Sequence, residues 1–145
     1  MSTIGELISE KTIPIVPGMV FLTWDIHTTP PKEKIHIIVA INSEEAMIAT
    51  VRINSKLNIN VYRDLDSQLH CISLKANDCD FLNHNSVVDC NIITKYPLKK
   101  ISQLLSKETN RIKGAISEDL LKDIKLRLAS ARGITPNDKA KFGLK

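Results

Sequence analysis

Residues 34–53 read KIHIIVAINSEEAMIATVRI and consist of two apolar, largely β-branched runs joined by a short polar stretch. The first run is apolar on both faces, which is typical of a strand in the middle of a sheet. The second run alternates between an apolar face and a mixed face. The connecting residues, Asn-Ser-Glu-Glu, suit a turn. We therefore predict that this segment forms the central hairpin of a small barrel.

Strict alternation assigns the side chains of this hairpin to faces. In the first run, one face carries Ile35, Ile37, Val39 and Ile41, and the other carries His36, Ile38 and Ala40. In the second run, the apolar face carries Met47, Ala49, Val51 and Ile53. The same alternation predicts a polar end of the hairpin, formed by Lys34, His36, Thr50 and Arg52.

Strand patterns precede the helix patterns along the chain, and this order indicates an α+β fold. Further strands are predicted at residues 17–25, 69–74 and 86–93, with a possible edge strand at 59–62. From Pro97 onwards, an apolar stripe predicts a helix, and Ser117 followed by two acidic residues predicts the start of a second helix. We predict a single domain over 1–145, with a short helix at 3–10, a barrel over 14–94, a basic helical part over 97–133 and a frayed tail over 134–145.

The net charge of +4 is unevenly distributed. Residues 1–93 carry seven Lys or Arg against eleven Asp or Glu, whereas residues 94–145 carry thirteen against five. A basic surface of this kind can bind phosphates or an acidic protein segment. Three cysteines, no secretory signal and no run long enough to span a bilayer predict a cytoplasmic protein that does not contact a membrane.

Four segments in their order and spacing resemble the MazF/PemK/Kid family of toxin endoribonucleases. They are PGMVFLTWD, IHIIVAIN, AMIATVRI, and SVVDCNIITKYPLKKISQLL with a closing helix SEDLLKDIKLRLA. The resemblance covers roughly residues 14–132. It implies an SH3-like β-barrel of five to seven strands with C-terminal helices packed on it, a fold shared with the gyrase poison CcdB. The family's Arg-Pro before the second strand is replaced here by Lys34-Ile35-His36.

The resemblance implies a growth-inhibiting toxin of a type II toxin-antitoxin system, which cleaves single-stranded mRNA without a metal or other cofactor. It also implies an antitoxin protein as partner and a homodimer. Cleavage by 2′-hydroxyl attack needs proton transfer and a cation beside the phosphate. We expect His36, Arg52 and Thr50 to be catalytic, and we expect RNA to be bound by Lys34, Ser55, Lys56, His84 and Ser86.

Other interpretations of the same residues are open. His36 also fits a hydrogen-bonded structural histidine, and Arg52 also fits a solvated charge at the edge of a strand. The chain as a whole also fits a non-catalytic barrel of the CcdB/PemK type that binds a protein or a nucleic acid. In the nucleic-acid version of that hypothesis, the basic helices bind the ligand through Lys99, Lys100, Arg127 and Arg132.

Overall fold

The computed structural model describes residues 13–25, 30, 32–55 and 64–144. These residues form an antiparallel sheet of six strands and four α-helices, which confirms the predicted α+β class. The strands are β1 (Met19–Asp25), β2 (Lys32–Asn42), β3 (Met47–Asn54), β4 (Cys71–Leu74), β5 (Ser86–Pro97) and β6 (Ile112–Ala115). The helices are α1 (Leu65–Leu69), α2 (Leu98–Lys107), α3 (Glu118–Ser130) and α4 (Pro136–Lys141).

The hairpin of β2 and β3 lies at the centre of the sheet, as predicted. The strand order is β4-β5-β3-β2-β1-β6, so two further strands flank the hairpin on each side. The sheet curls into a half-barrel. Its two edge strands, β4 and β6, border the same cavity of about 340 Å³, which the Phe81 side chain also lines. Among the described strands, the two edges are not hydrogen-bonded to each other, and the cavity lies between them.

A β-bulge changes the predicted faces of the hairpin. The β2–β3 pairing shifts between Ile38 and Ala40, so Ala40 joins the core of Ile37 and Val39 while Ile41 packs on the opposite side. The prediction that Ile41 shares a face with Ile37 was therefore wrong. A bulge places an extra residue in one strand and reverses the alternation beyond it, which a strict period of two does not anticipate.

Each face of the sheet is covered by a separate hydrophobic core. On one face, the strands pack against α3 and the chain that follows it, with Ile124 and Leu128 fully buried. On the other face, Phe21, Ile38 and Ile48 pack against Ile101 and Leu105 of α2. Burial on both faces explains the continuous apolar run of β2.

The C-terminal part differs from the prediction in two places. Residues 97–133 are not helical throughout, because β6 pairs with β1 between α2 and α3. The tail is also not frayed. Thr135 caps α4 by accepting a hydrogen bond from the Asp138 backbone N–H, and the apolar residues that flank this helix are buried in the larger core, namely Ile134, Phe142 and Leu144.

The predicted N-terminal cap of the second long helix agrees with the structure. The Ser117 hydroxyl accepts a hydrogen bond from the Leu120 backbone N–H at the start of α3, and Glu118 and Asp119 occupy the first turn. Among the residues that the structure describes, no helix has both the length and the apolar character needed to cross a membrane. The helix predicted at 3–10 and the edge strand predicted at 59–62 lie outside the described residues.

Candidate functional site

Two polar residues of the hairpin, His36 and Arg52, belong to one row of side chains that crosses the sheet on the α2 side. His36 of β2 lies opposite Phe21 of β1 and opposite Arg52 of β3, and Arg52 in turn lies opposite Asp89 of β5. Directly opposed residues of antiparallel strands place their side chains on the same face. The topology thus brings a histidine, an arginine and a carboxylate together from three strands.

Arg52 is held by two buried carboxylates. Its Nη1 donates to Asp25 Oδ2 at 2.7 Å, and its Nη2 lies 3.7 Å from Asp89 Oδ2. The side chains of Asp25 and Asp89 are 0% and 2% exposed, and that of Arg52 is 13% exposed. We call these three residues the buried ion cluster. Buried charges are tolerated when they are paired in this way, so the guanidinium is committed to the protein's own carboxylates.

His36 is fully buried beside this cluster. Its Nδ1 lies 2.9 Å from the Lys34 carbonyl oxygen, which only accepts, so Nδ1 carries a proton. Its Nε2 lies 3.3 Å from the Tyr96 hydroxyl, and the ring stacks on Phe21 with centroids 5.7 Å apart. Burial lowers the pKa of His36 to about 4. A buried, neutral imidazole whose Nδ1 donates within the chain has the properties of a structural histidine.

Thr50 is also turned inwards. Its hydroxyl donates to the Thr94 carbonyl oxygen at 3.0 Å, and the residue is fully buried. Thr50 lies opposite Ile38, which is two residues further from the polar end of the hairpin than His36, the residue opposite Arg52. Thr50 therefore lies deeper in the sheet than the other two. The three residues predicted to be catalytic are therefore held inside the sheet, each by partners within the chain.

Four of the five residues predicted to bind RNA line one cavity of about 350 Å³ at the end of the hairpin. They are Lys34, Ser55, His84 and Ser86. We call this cavity the polar cleft. Lys56, the fifth residue, lies outside the described residues. Residues separated by up to 52 positions in the sequence meet here because β2, β3 and β5 are adjacent in the sheet.

The polar cleft is positively charged. Lys32 and Lys34 line it together with one acidic residue, Glu33, whose carboxylate already accepts from Arg111 at 3.1 Å. Lys34 Nζ donates to the Asn54 side-chain oxygen at 2.6 Å. Burial and the nearby Arg52 guanidinium lower the pKa of Lys34. An ammonium group with a lowered pKa is both an anion ligand and a better proton donor than a solvated lysine.

His84 is the exposed histidine of the polar cleft. Its Nδ1 lies 2.8 Å from the Asn83 side-chain oxygen, so this nitrogen donates and Nε2 is left as the acceptor of the neutral ring. The Ser86 hydroxyl donates to the His84 carbonyl oxygen at 3.1 Å and positions the backbone at this point. His84 thus presents to the cleft a basic nitrogen of the kind that accepts a proton.

The partners of Arg52 were not predicted from the sequence. A signal was present for one of them, because Asp89 interrupts the apolar segment SVVDCNII, and a charge at such a position indicates a buried ion pair. Asp25 is the last residue of β1, so its burial had no comparable signal in the sequence. Among the described residues, no cluster of three or more His, Cys, Asp or Glu side chains is arranged to hold a metal ion.

Comparison of the chain with models of protein families and with curated proteins found no significant match.

Proposed function

We propose that this protein is a toxin of the MazF/PemK/CcdB type, with an SH3-like barrel, and that it binds single-stranded RNA in the polar cleft. The observation that carries this proposal is the meeting of Lys34, Ser55, His84 and Ser86 in one positively charged cavity. Lysines that line a cleft attract the phosphates of a flexible strand, and hydroxyl groups add hydrogen bonds to phosphate and sugar. The volume of the cleft is within the range of ligand pockets, about 300–1,000 Å³.

The proposal includes cleavage within the cleft. His84 Nε2 accepts the proton of the RNA 2′-hydroxyl as its oxygen attacks the adjacent phosphorus. The bond from phosphorus to the 5′-oxygen breaks, Lys34 supplies the proton to this leaving oxygen, and the products carry a 2′,3′-cyclic phosphate and a 5′-hydroxyl. His36 and Arg52 support this site from inside the sheet and do not contact the RNA.

The remaining parts of the proposal follow from the resemblance. An antitoxin protein holds the toxin inactive in the cytoplasm, a homodimer is the active form, and release of the toxin inhibits growth. The order of a β1–β2–β3 meander, a long β5 and then α2 supports the assignment to this class, because the resemblance predicts the same order.

A cleavage assay tests the proposal. Purified protein is incubated in EDTA with a long unstructured RNA, and new ends are mapped for the wild type, His84→Ala and Lys34→Ala. We expect 5′-hydroxyl ends with the wild type and a loss of roughly 100-fold or more in rate with His84→Ala. Lys99→Ala is the matched control, since Lys99 is exposed on α2 and does not line the polar cleft. Undiminished cleavage by His84→Ala would overturn the assignment of the base.

A second candidate function is a non-catalytic barrel of the same type that binds a protein. The observation that favours it is the burial of His36 and Thr50 and the pairing of Arg52 with two aspartates. If this second function is correct, we expect the folded wild-type protein to leave RNA intact in the cleavage assay. We also expect that RNA does not compete with the protein partner for binding.

A further inference from the structure

A second cavity, of about 370 Å³, lies between the end of β1 and helix α2. Its floor and walls include Trp24, Tyr96, Ile101 and Leu104, and two lysines, Lys100 and Lys107, also line it. We call it the apolar groove. It is separate from the polar cleft, because the residues that line the two cavities do not overlap.

Trp24 is a fixed and exposed aromatic residue at this groove. The side chain is 53% exposed, although large aromatic residues usually bury most of their surface. Its backbone is held in place, because the Tyr96 hydroxyl donates to the Trp24 carbonyl oxygen at 3.2 Å. An exposed tryptophan on an ordered backbone loses little freedom on binding, and tryptophan is enriched among the residues that dominate binding energy at interfaces.

The charge at the apolar groove has one sign. Of the described residues that line it, two are lysines and none is acidic. Helix α2, LKKISQLLSK, contains three lysines and no acidic residue. Lys100 and Lys107 are both exposed. A partner whose charge complements this surface is therefore acidic.

We propose that the apolar groove docks an acidic segment of a partner protein. An aliphatic or aromatic side chain of the segment fills the groove against Trp24 and Leu104, and its carboxylates pair with Lys100 and Lys107. This chemistry favours a peptide over RNA, because Ile101 and Leu104 offer aliphatic contacts that suit an apolar side chain better than a base. The proposal does not depend on RNA binding in the polar cleft.

A peptide selection tests this inference on the full-length protein. A displayed library of random 12-residue peptides is selected on the wild type, and peptides that also bind the double variant Lys100→Glu/Lys107→Glu are removed. We expect the enriched peptides to be acidic and to share an apolar residue. A synthetic copy of the best peptide should bind the double variant roughly tenfold or more weakly than the wild type, since two ion pairs become repulsive.

The chain provides its own reporter and its own control. Trp24 is the single tryptophan, so peptide docking should change the wavelength and intensity of the protein's fluorescence. Lys99→Glu makes the same change of charge on an exposed position of α2 that does not line the groove, and it should leave peptide affinity within about twofold of the wild type. Circular dichroism establishes that each variant is folded.

Three results would overturn the inference. The first is that no peptide is enriched on the folded wild type. The second is that the enriched peptides are not acidic or bind Lys99→Glu as weakly as the double variant. The third is that a single-stranded oligonucleotide changes Trp24 fluorescence while the acidic peptide does not, which would assign the groove to nucleic acid.

Discussion

Arg52 Nη1 donates to Asp25 Oδ2 at 2.7 Å, across the strand that separates them in the sheet. The acceptor carboxylate is fully buried, and the guanidinium is 13% exposed. This contact joins the end of β1 to the end of β3 across β2 and completes a charge cluster with Asp89. Arg52, whose position also fitted a solvated charge at the edge of a strand, is therefore part of the interior of the sheet.

We predict that Arg52→Ala strongly destabilises the protein. Removal of the guanidinium takes away the buried cation that pairs with both Asp25 and Asp89, which costs about 3–5 kcal/mol. Urea denaturation at neutral pH measures the change. Arg132→Ala is the matched control, because Arg132 also pairs with two carboxylates but is 71% exposed, and its loss should have a small effect. Equal losses for the two variants would contradict the buried ion cluster.

The free energy of unfolding should decrease as the pH is lowered from 7 to 5, because of His36. Burial lowers its folded pKa to about 4, against 6.5 in an unfolded chain. Between these values the unfolded chain binds a proton that the native protein excludes, so the stabilisation is complete above pH 6.5 and is lost as the pH falls towards 4. The contribution is about 2 kcal/mol between pH 7 and pH 5.

Urea denaturation of His36→Gln at the same two pH values isolates this contribution. The variant should lose about 2 kcal/mol less stability than the wild type on acidification. Ser43→Ala, in the exposed turn between β2 and β3, removes no ionisable group and should retain the wild-type dependence. A His36→Gln curve parallel to that of the wild type would show that His36 titrates normally in the native state.

The C-terminal segment should be essential to the core. Leu144 is 1% exposed and packs in the larger cluster, so Leu144→Ala should lower the free energy of unfolding by about 2–5 kcal/mol. Leu126→Ala makes the same chemical change on α3 at a side chain that is 65% exposed, and it should stay within about 0.5 kcal/mol of the wild type. Thermal and urea unfolding of the pair provide the comparison. A tolerated Leu144→Ala would restore the prediction of a frayed tail.

Gly133 should not tolerate a side chain although it is an exposed residue. A Cβ atom there would lie 2.6 Å from the Asn91 carbonyl oxygen and 3.1 Å from Ile92 Cγ2. Gly133→Ala therefore forces the turn after α3 away from β5, at a cost of about 1–3 kcal/mol in urea denaturation. Ser43→Ala, in the exposed turn between β2 and β3, serves as the control and should be neutral.

Local patterns determined much of the architecture. The alternation of Met47, Ala49, Val51 and Ile53 predicted the buried face of β3, and Ser117 predicted the start of α3. These predictions succeed because strand alternation and helix capping depend on residues within a few positions of each other. The same reasoning failed at Ala40 and Ile41, where a bulge that depends on the neighbouring strand reverses the faces.

Only the tertiary structure decided which polar residues are exposed. The sequence by itself determined that Lys34, His36, Thr50 and Arg52 lie at neighbouring positions of one hairpin, because strand pairing follows from the apolar pattern. It did not determine that Asp25 and Asp89 enclose Arg52, that Tyr96 covers His36, or that His84 reaches the cavity of Lys34. Those contacts join strands that are distant in the chain, and their formation depends on the curl of the whole sheet and on the helix packed against it.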